Sequence, residues 1–295
     1  MKKFLIALFF LAFTTGANAA SRFWVGGTGT WDNATTTHWS ASTGGAGGAS
    51  VPAATDTVTF DGSSGGGTVT VNATINGTNT LVSITAGAFT GTLDLSANNP
   101  SLTMTAFLIT GAGARTINMG SGTLTLTGSG TSVWDATNST SLTFNANTST
   151  IVVAPAAFGL TANFLTGGLT YHTVTLGPSI NTTSIATGTN GATFATLNMV
   201  GPAANIRLAN CTVTNAINWA GTAANLLVIS TNAAPTPASI TLSAAGGTLA
   251  WAALSGITFV TNTASATNSF DLKNNTNVTI TNPSVVAGGG HIIGG

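Results

Sequence analysis

The chain has 295 residues, 43% of them hydrophobic but only 4% charged, with a formal net charge of zero and no glutamate. An ordinary soluble domain is roughly 25% charged, and so sparse a charge excludes nucleic-acid binding, which needs a basic stripe to displace counterions from phosphate. Electrostatic attachment to anionic membranes fails for the same reason, and disorder is disfavoured because the chain lacks the usual pairing of low hydrophobicity with high net charge.

Residues 1–19 have the three parts of a secretory signal peptide. Lys2 and Lys3 make a basic start, Phe4 to Phe13 an apolar run, and Ala17-Asn18-Ala19 a small-residue cleavage site. The run is too short to span a bilayer, which takes roughly 17–25 apolar residues. No cysteine directly follows it, so a bacterial lipid anchor has no attachment point there. The expectation is an extracytoplasmic chain, secreted or on the cell surface, beginning near Ala20 and not integral to a membrane after cleavage. Its charged residues are then Arg22, Arg115, Arg207 and Lys273 against Asp32, Asp56, Asp61, Asp94, Asp135 and Asp271, close to neutrality.

Residues 20–61 differ from the rest, with Trp24, Trp31 and Trp39 among two Gly-rich stretches. One reading is a terminal cap, which stacked-coil folds need to cover an exposed core and unpaired edge. The other makes the three tryptophans a carbohydrate-contact platform, since indole faces pack on sugar rings.

From Thr57 onward apolar and polar residues alternate. Thr57–Phe60, Thr68–Val71, Thr92–Leu95, Thr123–Leu126, Ser141–Phe144, Ser239–Leu242 and Asn277–Ile280 all have the period of two that predicts a half-buried strand. Between them lie Gly, Asn and Ser clusters such as Gly62 to Gly67 and Gly120-Ser121-Gly122, which are turn chemistry. No segment beyond the leader predicts a helix.

Irregular strand spacing of this kind suits a sandwich or barrel, or a solenoid of stacked coils. Three features favour a right-handed parallel β-helix over residues 62–287, an all-β solenoid with a Gly-rich tail at 288–295. The alternating texture runs on without a break, the corners carry very small residues, and Asn recurs near strand ends at Asn72, Asn145, Asn198 and Asn277. Stacked side-chain amides at such positions form hydrogen-bonded ladders.

The chemistry available is narrow. Glycoside hydrolysis generally takes two carboxylates flanking one bond, and the closest pair in sequence, Asp56 and Asp61, should lie roughly 15 Å apart along a strand. Carboxylates distant in sequence, Asp94 and Asp135 for example, could still be brought to one face by folding. His38, His172 and His291 with the single Cys211 make no zinc spacing, and no calcium loop of clustered aspartates appears. His172, in the strand-like run Leu169 to Leu176, is expected as a partly exposed wall residue. Cys211 has no partner within the chain and is expected as a buried, inert thiol. No catalytic residue, metal or cofactor is therefore assigned.

The order Arg22-Phe23-Trp24-Val25-Gly26-Gly27-Thr28-Gly29-Thr30-Trp31-Asp32, then His38-Trp39-Ser40, Val51-Pro52 and Asp56 to Asp61, resembles the opening of secreted bacterial β-helix proteins, including autotransporter passenger domains. It is also similar to β-rich structural proteins of bacteriophages. The likeness covers about forty residues and implies a right-handed β-helix with a surface, adhesive or virion role. It brings no catalytic residues, and the chain lacks the aromatic girdles of a C-terminal membrane barrel.

The leading expectation is thus a secreted or surface structural or adhesive module binding a surface glycan or cell-envelope polymer. A tail-associated virion protein and a polysaccharide-degrading enzyme are the alternatives. Low charge along exposed strand edges also predicts self-association.

Overall fold

Alternation places every second side chain on one side of the backbone, and in this chain the apolar set of each strand turns inward. Thr57–Phe60, Thr68–Val71 and Thr123–Leu126 each bury their second and fourth residues and leave the threonines partly exposed. The computed structural model describes residues 19–73, 75, 78–79, 81–84, 88–130, 132–156, 160–177, 184–188, 191–201, 205–243 and 249–283. Among them all seven strands expected from the sequence are present, within one residue at each end. Among the described residues the one helical element is a 3-10 turn, Gly62–Ser64, capped by Asp61. Residues 1–18 of the expected signal peptide at 1–19 and the expected tail at 288–295 lie outside the described residues.

The strands stack as a parallel β-solenoid, not a barrel. A 12-stranded sheet runs from Ser21–Trp24 to Phe270–Asp271, a 5-stranded sheet from Gly29–Trp31 to Leu142–Asn145, and a 10-stranded sheet from Thr78–Asn79 to Ile257–Val260. Each pairing along these sheets is parallel except that of Trp39–Ser40, which lies antiparallel on Ser21–Trp24. Residues 20–61 and the remainder share one ladder, because Ser21–Trp24 pairs with Thr57–Phe60 and that strand with Leu81–Ile84.

Register stacks like on like in the interior. Leu102, Leu124, Ile151, Val174, Leu197 and Ile217 form one column of the third sheet, all of them buried. In the first sheet Phe107, Trp134 and Phe164 are aligned, with ring centroids 5.3 and 5.7 Å apart. Ile185, Ile206, Ile229 and Leu254 continue that sheet's core further along the stack. Each such side chain contributes about 1.5–3 kcal/mol when fully buried, and contact with the coils above and below sets the cooperativity.

The two ends differ. The first coil is closed by Trp39–Ser40 and its tryptophans. At the other end Asp271 occupies the register position opposite the buried Leu254, and its carboxylate accepts from Lys273 N at 2.8 Å and Asn275 Nδ2 at 2.7 Å. Asp271 is itself exposed, and a charge on an end strand is unfavourable for edge-to-edge pairing. Phe270 and Leu272 beside it are 40% and 50% exposed.

The coils change shape partway along. From Thr57 through residue 165 a coil visits all three sheets, as Ser132–Asp135, Leu142–Asn145 and Thr150–Val153 do in turn. After that, Ala162–Leu165 passes through a turn at 166–169 straight into the long strand Thr170–Leu176 of the third sheet. Gly167 makes this turn possible: its φ is +62°, and a Cβ there would collide with the Ala136 carbonyl. The second sheet ends at Leu142–Asn145, and a step is left in the wall of the solenoid.

Candidate binding surface

The tryptophans named as sugar contacts are placed elsewhere. Trp24, Trp31 and Trp39 are 0%, 2% and 0% exposed, so no sugar ring reaches their faces, and that expectation is corrected. Each points into the first coils because its strand position has the inward phase. Trp24 stacks on His38 at 4.8 Å and meets Trp39 edge-on at 5.1 Å, and Trp31 meets Trp39 at 5.3 Å. The Trp24 indole N–H donates to Gly27 O at 2.8 Å, and His38 Nδ1 lies 3.0 Å from Val25 O.

The carboxylates are bound up in local backbone geometry. Asp32 accepts from Thr35 N and Ala34 N, Asp94 from Ser96 N, Asp135 from Thr137 N, and Asp61 from Ser63 N. Asp56 accepts from Ala20 N and Ala53 N at 2.9 and 3.0 Å and sits 3.7 Å from Arg22 Nε. These are the turn and cap roles for which a short carboxylate is suited. Asp94 and Asp135 belong to different sheets, the 5-stranded and the 12-stranded, so folding does not bring that pair to one face. Among the described residues no group of three or more His, Cys, Asp or Glu side chains comes together as a metal site would need.

Arg115 is a buried base with no acidic partner among the described residues. It is 2% exposed, and its guanidinium donates to Asn138 O at 2.6 Å, Gly113 O at 2.8 Å, Ile109 O at 3.3 Å and Thr140 O at 3.4 Å. Burial holds its pKa below the ordinary arginine value. The side chain ties carbonyls at the corners of two successive coils.

What faces outward is regular. On the second sheet Thr68, Thr92, Thr116 and Thr143 stand in one column, and Thr30, Thr70, Asp94, Asn118 and Asn145 in the next. On the third sheet Thr123, Thr150, Thr173 and Thr196 align. Beside them run Thr175, Asn198 and Asn218, and on the same sheet Thr170, Thr193, Thr212 and Thr241. Neighbouring strands are about 4.7–4.9 Å apart, so hydroxyls and amides repeat at that pitch.

The expected amide ladder is present at Asn145 and Asn198. Asn145 Nδ2 donates to Asn118 Oδ1 at 2.7 Å; Asn218 Nδ2 donates to Asn198 Oδ1 at 2.9 Å, and Asn198 Nδ2 to Thr175 Oγ1 at 3.3 Å. Asn277 instead donates to the Phe259 carbonyl at 2.9 Å from a left-handed backbone. Asn72 follows its strand at a corner, its backbone N–H on Trp31 O at 2.9 Å.

The step in the wall forms a groove of about 350 Å³, lined chiefly by Phe144, Asn145, Asn147, Thr170, Tyr171 and His172. Its origin is packing. Val69, Leu93 and Ile117 form a buried column, and Phe144 continues that column with no further strand beyond it, so its ring is only half-buried. Tyr171 forms the floor, 1% exposed, with its ring centroid 5.3 Å from that of Phe144. Its hydroxyl donates to Thr166 O at 2.7 Å and accepts from Trp134 Nε1 at 2.9 Å, and burial drives its pKa well above the ordinary phenol value. His172 is half-buried as expected, with Nδ1 3.1 Å from Thr173 Oγ1. Sequence inspection missed Phe144, Asn145 and Asn147 as groove residues. The available signal was the shorter coils after residue 165, where the first-sheet strands begin at Ala162, Ser184, Asn205 and Leu227.

Fold and surface together define a charge-poor parallel β-solenoid with hydroxyl- and amide-lined walls. No family model, curated protein or solved structure matches the chain significantly.

Proposed function

We propose that the protein is an extracytoplasmic structural or adhesive solenoid module, secreted or held at the cell surface, whose walls contact uncharged polymers such as envelope or surface glycans. The observation that carries this reading is the set of in-register threonine and asparagine columns on a wall nearly free of charge. Hydroxyls and amides both donate and accept hydrogen bonds, as sugar hydroxyls do, and a repeating array offers many weak contacts along one polymer, which add through effective concentration. The leader-like residues 1–19 support export.

Glycan-array binding by the chain after removal of residues 1–19 tests the proposal, compared at about 0.1 M and about 1 M salt, between which the Debye length falls from about 10 to about 3 Å. Retention of neutral glycans at both salts is the expected result. Binding only to acidic polymers, and only at low salt, refutes it.

A further inference from the structure

We infer that the groove at the end of the second sheet is a specific subsite for a neutral sugar unit of such a polymer, an assignment that rests on the adhesive reading above. The strand Leu142–Asn145 is the last of its sheet, and the next coil passes it by, so the wall is interrupted at one place rather than fading gradually. The cavity of about 350 Å³ left there lies in the range of small-ligand sites.

Its lining has the chemistry of sugar recognition. Phe144 presents a half-buried aromatic ring, backed by Tyr171 at 5.3 Å, and C–H faces of a pyranose pack on such a ring. Asn145 and Asn147 are exposed at the rim, and the imidazole of His172 is half-buried beside them. Asn145 is already oriented by its bond to Asn118 Oδ1, and Asn147 is held in a left-handed turn at φ 48°. Amide and imidazole groups suit the in-plane hydroxyls of a sugar. Among the described residues no carboxylate, lysine or arginine lines the groove, so a charged ligand would lose hydration without an ionic partner, and a neutral one is favoured.

The floor is rigid. Tyr171 is locked by hydrogen bonds to Trp134 and Thr166 and stacked on Phe194 at 5.6 Å, so the site is organised before a ligand arrives, which lowers the ordering cost of binding. The groove also adjoins the amide column Asn118–Asn145 on one side and the threonine column from Thr170 on the other. A polymer seated at the step can therefore run on along either wall.

The test is affinity for a panel of neutral oligosaccharides, with acidic oligosaccharides as controls, using wild type, Phe144→Leu, His172→Ala and Asn147→Asp. Thermal midpoints and size at several protein concentrations are measured alongside. Phe144→Leu removes the aromatic face and should weaken binding about tenfold, with losses of similar order for His172→Ala and Asn147→Asp. If Phe144→Leu fails to fold, the two surface variants decide the matter. Wild-type binding to a neutral glycan with His172→Ala and Asn147→Asp unchanged overturns the groove while leaving the adhesive module standing. Absence of any glycan binding by wild type overturns both. A concentration-dependent dimer abolished by the groove variants would make a second copy the occupant and overturn the sugar assignment.

Discussion

Replacement of Arg115 tests the account of how successive coils are tied. Its guanidinium reaches Asn138 O at 2.6 Å and Gly113 O at 2.8 Å, with longer bonds to Ile109 O and Thr140 O. A hydrogen bond to a charged group contributes about 1.5–3 kcal/mol, so the two short ones hold about 3–6 kcal/mol between them. Against this stands the cost of burying the charge, visible as a pKa held below the ordinary arginine value by desolvation. Arg115→Met keeps most of the packing, relieves the buried charge and strands the carbonyls. A net loss of about 2–4 kcal/mol is expected. Arg115→Lys should recover little, because an ammonium lacks the planar fork that reaches several carbonyls at once. Urea denaturation gives the change in midpoint at constant slope. Native-state hydrogen exchange should show the loss concentrated near residues 109–118 and 138–145, since coils couple to nearest neighbours. A loss below about 1 kcal/mol for Arg115→Met, or full rescue by lysine, would show that the carbonyl clamp adds nothing to stability.

Three further outcomes follow from single groups. Tyr171→Phe leaves the buried Trp134 N–H without its acceptor, so a loss of about 1–3 kcal/mol is expected by denaturation; an unchanged midpoint contradicts the hydrogen-bonded floor. Cys211 is buried, and burial pushes its thiol up to about 12. In native protein near neutral pH it should resist a disulfide reagent and react on unfolding, whereas equal native and denatured rates contradict its burial. The Asp32 carboxyl is lowered first by the Thr35 backbone N–H, then further by Ala34 N–H and the Thr35 hydroxyl, against an opposing burial effect. A lowered folded value means its contribution is present above the ordinary carboxylate range and is lost as pH falls through the folded value. The stability gap between wild type and Asp32→Asn should therefore shrink on acidification, and a gap independent of pH contradicts that linkage.

Much of the fold was legible in the sequence because a strand's phase is a local property. Thr68-Val69-Thr70-Val71 can bury one face only, and it buries Val69 and Val71; unbroken alternation, small corner residues and Asn near strand ends pointed to stacked coils over a barrel. The same phase rule would have put the tryptophans inside, since Trp24 and Trp31 end strands whose inward positions they occupy. Their reading as a sugar platform weighed residue type over strand phase.

Other features exist only in the folded chain. Register decides that Thr92 lies over Thr68 and under Thr116, and it sets Asn118 against Asn145 from 27 positions away. The groove depends on the coils after residue 165 omitting the second-sheet strand, so Phe144, patterned like Val69, Leu93 and Ile117, becomes a half-exposed wall instead of a core residue. The clamp at Arg115 likewise joins carbonyls separated by many residues. Local sequence determines which way each side chain turns. Only the stacking of distant coils decides what it meets there, because pairing partners in a solenoid are a full turn apart in the chain.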